Sequence, residues 1–145
     1  MKRAAAAYLF EEGIFVHPRD FTVAGMWIFS EPVVRVALTA PNRDKGVALM
    51  TAIEQSRREV PHPPSWTGLT RPLERALNVR SWAELARRAK LCEVTLDGAA
   101  LTFMPYRRER RGNYVSIDDG TRTLEWPCHI ELVGETIVDA LNVAQ

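Results

Sequence analysis

Apolar and polar positions along the chain sort into strand-like and helix-like stretches. In the first forty residues the runs YLF, GIFV, GMWIF and PVVRVAL are punctuated by His17-Pro18, Gly25 and Pro32. Short, β-branched and aromatic runs of this kind predict strands. The period then changes. Leu49, Met50, Ile53, Arg57 and Val60 share one helical face, with Asn42 or Asp44 available as N-cap. Pro61, Pro63 and Pro64 end that helix by removing donors and fixing φ. PHPPSWTG reads as a connector, and TRPLERALN as a short helix opened near Pro72 and closed by Asn78. SWAELARRAK predicts a further helix, because Ser81 and Glu84 have capping-box spacing.

In the C-terminal half, Asp97-Gly98 sits between two strand-like runs, so Leu91–Leu96 and Leu101–Met104 are expected to pair as a hairpin. NYVSIDDG predicts a short strand ending in a turn. TLEWPCHIELV alternates: Leu124, Trp126, Cys128, Ile130 and Leu132 have one parity, and Glu125, His129 and Glu131 the other. This predicts a half-buried strand with Glu125 and Glu131 outward, placed at an edge or bulged because Pro127 cannot donate. GETIVDALNVAQ closes the chain as a helix with Ile137, Val138 and Leu141 inward. The sum is one α+β domain spanning 1–145, an antiparallel β-sheet with helices packed on one face.

Composition narrows the function classes. The chain has 145 residues, 46% hydrophobic and 26% charged, with 19 basic against 18 acidic residues and a net charge of +1. A dedicated nucleic-acid binder carries a clear basic excess, so this balance argues against that role. Lys2 and Arg3 precede an apolar run, Ala4 to Phe10, that Glu11-Glu12 cuts short, and no small-residue cleavage pattern follows. Export is therefore not expected. Nor does any stretch approach the ~20 apolar residues of a membrane span. The two cysteines, Cys92 and Cys128, read as reduced thiols of a cytoplasmic protein.

The sequence carries no G-x-S-x-G, phosphate-cradling glycine loop or H-E-x-x-H. Cys128 and His129, adjacent on the expected strand, would point to opposite faces and so form no thiol–base pair. His17, His62, His129, Cys92 and Cys128 show no close metal-ligand spacing. No enzyme, cofactor or metal is expected. Trp66, Trp82 and Met50 read as packing residues. What remains is surface. Tyr106 and Tyr114 bracket Arg107, Arg108, Arg110 and Arg111 against Glu109, a local +3. Tyrosines stacking on bases and arginines on phosphates would suit a small RNA-binding module. Yet residues 114–135 hold Asp118, Asp119, Glu125, Glu131 and Glu135 against only Arg122, a local −4. Opposite charges side by side fit a two-signed protein interface better than an RNA channel.

LERALNVRSWAELARRAKLCEVTLDGAALTFMP, a polar loop, a strand and the terminal GETIVDAL together resemble the immunity proteins of contact-dependent growth inhibition systems. The resemblance spans about Pro72 to Leu141 and rests on SWAEL, LTFMP and G-E-x-I-x-x-A-L. It implies a cytoplasmic, non-catalytic protein that binds one-to-one the C-terminal toxin domain delivered by a neighbouring cell. Such toxins are often nucleases, including ones that cut tRNA. Many immunity proteins of this kind are strongly acidic. This chain is close to neutral, so a focused interface is expected, with Asp118, Asp119, Glu125 and Glu131 meeting basic toxin residues and Arg107, Arg108, Arg110 and Arg111 meeting carboxylates. Tyr106 and Tyr114 would serve as anchors.

Overall fold

The computed structural model describes residues 2–109 and 112–145. The alanine run forms the interior of the sheet. It lies in β1 (Lys2–Phe10), which pairs with β2 (Gly13–Thr22) on one side and β6 (Lys90–Asp97) on the other. The strand order is β3 (Trp27–Phe29), β2, β1, β6, β7 (Ala100–Arg108), β8 (Tyr114–Ser116). Two further strands, β4 (Val34–Ala37) and β5 (Arg58–Val60), pair with β2, and β9 (Arg122–Glu125) pairs with β7. Every pairing is antiparallel except β2 with β5. The expected α+β class and antiparallel sheet are both found.

Successive side chains of β1 enter different cores, as the two-residue period of a strand requires. Ala5 and Ala7 face α1 (Asn42–Gln55) and α4 (Ile130–Val143), together with Ile14, Val94 and Phe103. Ala6, Tyr8 and Phe10 face the opposite side. There α2 (Arg71–Ala76) and α3 (Trp82–Arg88) add Leu73 and Leu85 to a second core. The two long helices thus pack on one face as expected, and the two short ones cover part of the other. Glycines let α1 and α4 touch. A Cβ on Gly46 would stand 2.2 Å from the Ile130 carbonyl oxygen, and one on Gly134 would stand 1.9 Å from that of Asn42.

Several local expectations need correction. The first helix stops at Gln55, and Arg57 and Val60 are not on its face, because tertiary bonds pull the chain straight. The carboxylate of Asp20, 2% exposed, accepts from the Arg57 backbone N–H at 2.9 Å and from its guanidinium at 2.8 and 3.1 Å. The N-cap of α1 is Pro41, without a side-chain cap, rather than Asn42 or Asp44. The Ser81 cap is present, its hydroxyl accepting from Glu84 N–H at 3.2 Å, while the Glu84 carboxylate takes the N–H of Arg80 at 2.7 Å. The β6–β7 hairpin has Asp97 paired with Ala100, so its central residues are Gly98-Ala99, and Gly98 takes φ +60°.

The largest correction concerns 124–132. Strand β9 ends at Glu125, a turn through the cis Trp126–Pro127 bond follows, and Ile130 opens α4. Ile130, Val133, Ile137 and Leu141 recur at helical spacing, and burial of that stripe against α1 outweighs the alternation. Cys128 and His129 therefore lie in a turn, not on a strand. Trp66 and Trp82, at 50% and 36% exposure, are not core residues.

Replacing Gly134 by Ala would force α1 and α4 apart. The expected loss is about 1–3 kcal/mol, the usual cost of overpacking, read as a lower urea midpoint with unchanged slope. An unchanged midpoint would show that the contact between the helices is not tight.

Candidate functional site

Strand pairing, not a loop, places most of the tyrosine–arginine segment. Tyr106, Arg107 and Arg108 belong to β7 and pair with Ser116, Val115 and Tyr114 of β8. Alternation then splits the arginines. Arg108 shares the face of Tyr106, and its guanidinium donates to the Arg87 carbonyl at the end of α3 at 2.9 Å. Arg107 has the opposite parity and is paired with Glu109 at 2.8 Å. The turn beyond is closed by Glu109 N–H to the Asn113 carbonyl at 2.8 Å, with Gly112 at φ +81°. Arg110 and Arg111 lie outside the described residues. The C-terminal Gln145 seals the other side of β7, accepting from Arg108 N–H at 2.8 Å and donating to the Tyr106 carbonyl at 3.1 Å.

Both tyrosines turn inward. The Tyr106 hydroxyl donates to Glu93 Oε2 at 2.7 Å, and that of Tyr114 to the Ala89 carbonyl at 2.8 Å. The Tyr114 ring also meets Trp82 edge-on at 6.1 Å and Tyr8 at 6.4 Å. Burial raises the pKa of all three phenols, and Glu93 raises that of Tyr106 further, so they stay protonated at neutral pH. Engaged in this way, Tyr106 and Tyr114 are held against the sheet rather than displayed on an exposed loop.

They wall a cavity of about 410 Å3 between the sheet and the short helices. Its floor carries Arg19, Glu93 and His17, none of which the sequence pattern singled out as functional. Arg19 of β2 is bonded to Glu93 of β6 across β1. Ala4 stands opposite Arg19, and Ala6 opposite both His17 and Glu93, so the intervening strand presents only methyl groups beneath this bridge. His17 Nδ1 donates to the Pro18 carbonyl at 2.7 Å, and its ring packs on Phe29 and Tyr8 at 4.6 and 5.8 Å. Its Nε2 is, among the described residues, a buried side-chain atom without a hydrogen-bond partner. Burial lowers the His17 pKa to about 4. One signal could have marked Glu93: it shares parity with the buried Leu91.

The acidic residues are dispersed. Asp118 and Asp119 form an exposed 3-10 turn, Asp118 lying 3.4 Å from the Ser116 hydroxyl. Glu125 ends β9, while Glu131 stands in the first turn of α4, 3.5 Å from Arg43. The single outward strand face expected for Glu125 and Glu131 does not exist, because the chain turns between them. Cys92 is buried, its thiol pKa pushed up by desolvation, and neither cysteine is in a disulfide. Among the described residues no three His, Cys, Asp or Glu side chains gather as metal ligands, and no helix is long and apolar enough to cross a membrane.

No family model matches the sequence, and no curated protein does so. Solved structures do match in shape. The whole chain superposes on a protein of unknown function from Neisseria meningitidis, covering 96% of it at a TM-score of 0.83 and 18% identity. It also superposes on a chain of the CdiA-CT/CdiI toxin and immunity complex from Yersinia pseudotuberculosis, covering 98% at a TM-score of 0.80 and 13% identity. The likeness is one of fold.

The buried imidazole yields a pH dependence. Free histidine titrates near 6.5 and native His17 near 4, so between these values the unfolded chain holds more protons. The stability that neutral His17 preserves is complete above pH 6.5 and is lost as pH falls to 4, in total about 3 kcal/mol. Urea unfolding at pH 7 and 4.5 should show this loss in the native chain and not in His17→Phe. Parallel losses in both would assign the acid sensitivity elsewhere.

Proposed function

We propose that this chain is an immunity protein that binds and neutralises the toxin domain of a contact-dependent growth inhibition system. The observation that carries the reading is the end-to-end fold likeness to a chain of a toxin and immunity complex. The sequence resemblance over Pro72–Leu141 points the same way. So does the chemistry of the groups able to serve as a nucleophile or base: Cys92 is buried with a raised pKa, and His17 is buried on the opposite face of the sheet with a lowered one. The toxin is of the nuclease class, presenting a basic surface, and association is one-to-one in the cytoplasm.

The exposed charges are the contact residues of this reading. Asp118, Asp119, Glu125 and Glu131 engage toxin cations, and Arg107, Arg108, Arg110 and Arg111 engage toxin carboxylates. Tyr106 and Tyr114 act by fixing the wall that carries this segment. Exposed pairs such as Arg43–Glu131 contribute only about 0–1 kcal/mol to stability, so they can be exchanged for a partner's charges at small cost.

Co-expression with the neighbouring open reading frame should yield a stoichiometric complex with a domain that is toxic alone. Emergence of the chain alone, without protection of the cell, would overturn the proposal. Within such a complex, the double variant Glu125→Lys/Glu131→Lys should stay folded and bind about tenfold or more weakly, mostly through faster dissociation. Full affinity in the folded double variant would remove both residues from the interface.

A further inference from the structure

The cavity walled by Tyr106 and Tyr114 is built like a ligand site rather than a packing defect. Its volume, about 410 Å3, lies within the roughly 300–1,000 Å3 of small-molecule sites. Aromatic and aliphatic walls, among them Trp82, Phe29 and Leu73, enclose a few convergent polar groups. An ion pair placed there does little for the fold, since a buried pair can often be replaced by packed apolar residues without loss. Arg19 and Glu93 have side chains only 21% and 23% exposed, and strand pairing runs through the backbone without them.

Their remaining valences define what fits. Glu93 accepts from Arg19 on one oxygen and from the Tyr106 hydroxyl on the other, which leaves each oxygen a further lone pair. Arg19 has five N–H donors, and its contacts with Glu93 and the Trp27 carbonyl leave others free. The two charges cancel, so neither an anion nor a cation is preferred. Side by side, a spare acceptor and a spare donor match a ligand edge that carries an N–H next to a carbonyl. His17 supplies the independent sign: its unpartnered Nε2, buried in the same wall, is a polar group that the protein alone does not satisfy. An acceptor left in that condition keeps the full cost of its desolvation.

The geometry points to a binding site for an uncharged planar heterocycle of purine size with a lactam edge, its N–H on Glu93, its carbonyl on Arg19 and its ring against Trp82 and Tyr114. The site needs no toxin, and the immunity reading needs no heterocycle, so each stands or falls separately.

Calorimetric titration of the full chain with guanosine, 1-methylguanosine and indole tests it. Guanosine should bind with a Kd below about 1 mM. Blocking the lactam N–H by methylation should weaken binding about tenfold or more, the worth of a hydrogen bond to a charged group. Glu93→Gln should have the same effect on guanosine and none on indole. Trp82→Ala, at a partly exposed position, keeps the test open should the Glu93 variant unfold: loss of one stacking wall should cost about fivefold or more. A single-stranded RNA hexamer containing guanine separates the sources of the ring. Tighter binding of the hexamer, falling with salt, would mark a base in a strand, and tighter binding of guanosine a free heterocycle. No guanosine binding at 1 mM, equal affinity for indole and guanosine, or an indifferent Glu93→Gln and Trp82→Ala would each overturn the proposal.

Discussion

Burial of β1 on both faces is the constraint from which the architecture follows. A strand segment covered on both sides must be apolar, and what this strand offers at its centre is methyl groups: Ala4, Ala5, Ala6 and Ala7 are each at most 2% exposed. On one face, small residues leave the space to the helices, and α1 and α4 lie on Ala5 and Ala7 with their own contact made at Gly46 and Gly134. On the other face the same smallness lets Arg19 reach Glu93 over the strand between them. A bulkier residue at Ala4 or Ala6 would occupy the space of that bridge. One run of alanines thus permits a tight helix layer on one side and an open, polar-floored cavity on the other.

Legibility in the sequence followed the range of the interaction responsible. The Ser81 cap and the Gly98 turn depend on neighbours within a few residues and were readable in kind, although the turn centre lies one residue further on. The stretch 124–132 shows the opposite case. Its alternation correctly picked most of the residues that face the core, since Leu124, Trp126, Cys128 and Ile130 all pack against the same cluster, whereas Leu132 is exposed. It did not reveal the conformation, because a short strand, a turn and the first residue of a helix can present the same parity. Only the contact with α1, almost ninety residues earlier in the chain, decides for the helix.

The candidate site divides along the same line. Tyr106 and Tyr114 stood out as a local pair, and the β7–β8 register does bring them to one wall. Arg19, Glu93 and His17 did not, because 74 residues separate the first two and only the β2–β1–β6 register joins them. The arginine segment misled in a further way. Read as a loop it presents one basic surface, whereas inside a strand Arg107 and Arg108 belong to opposite faces.

That division bears on how a partner is held. Many exposed charges already have partners at short range: Arg107 with Glu109, Arg122 with Asp139, Arg43 with Glu131, and Arg88 with Glu84 and Glu11. Charges paired a few ångströms apart cancel beyond the Debye length of about 8 Å at physiological salt, so long-range attraction is weak. A strongly acidic inhibitor can capture a basic enzyme through its field. A chain of net charge +1 must instead rely on shape and on exchange of pairs at contact. Affinity in such an interface resides in dissociation rate more than in association rate. The rigid framework of β7, β8 and the Gln145 clasp is suited to that, because the charged side chains start from a fixed backbone and little of it needs ordering on binding.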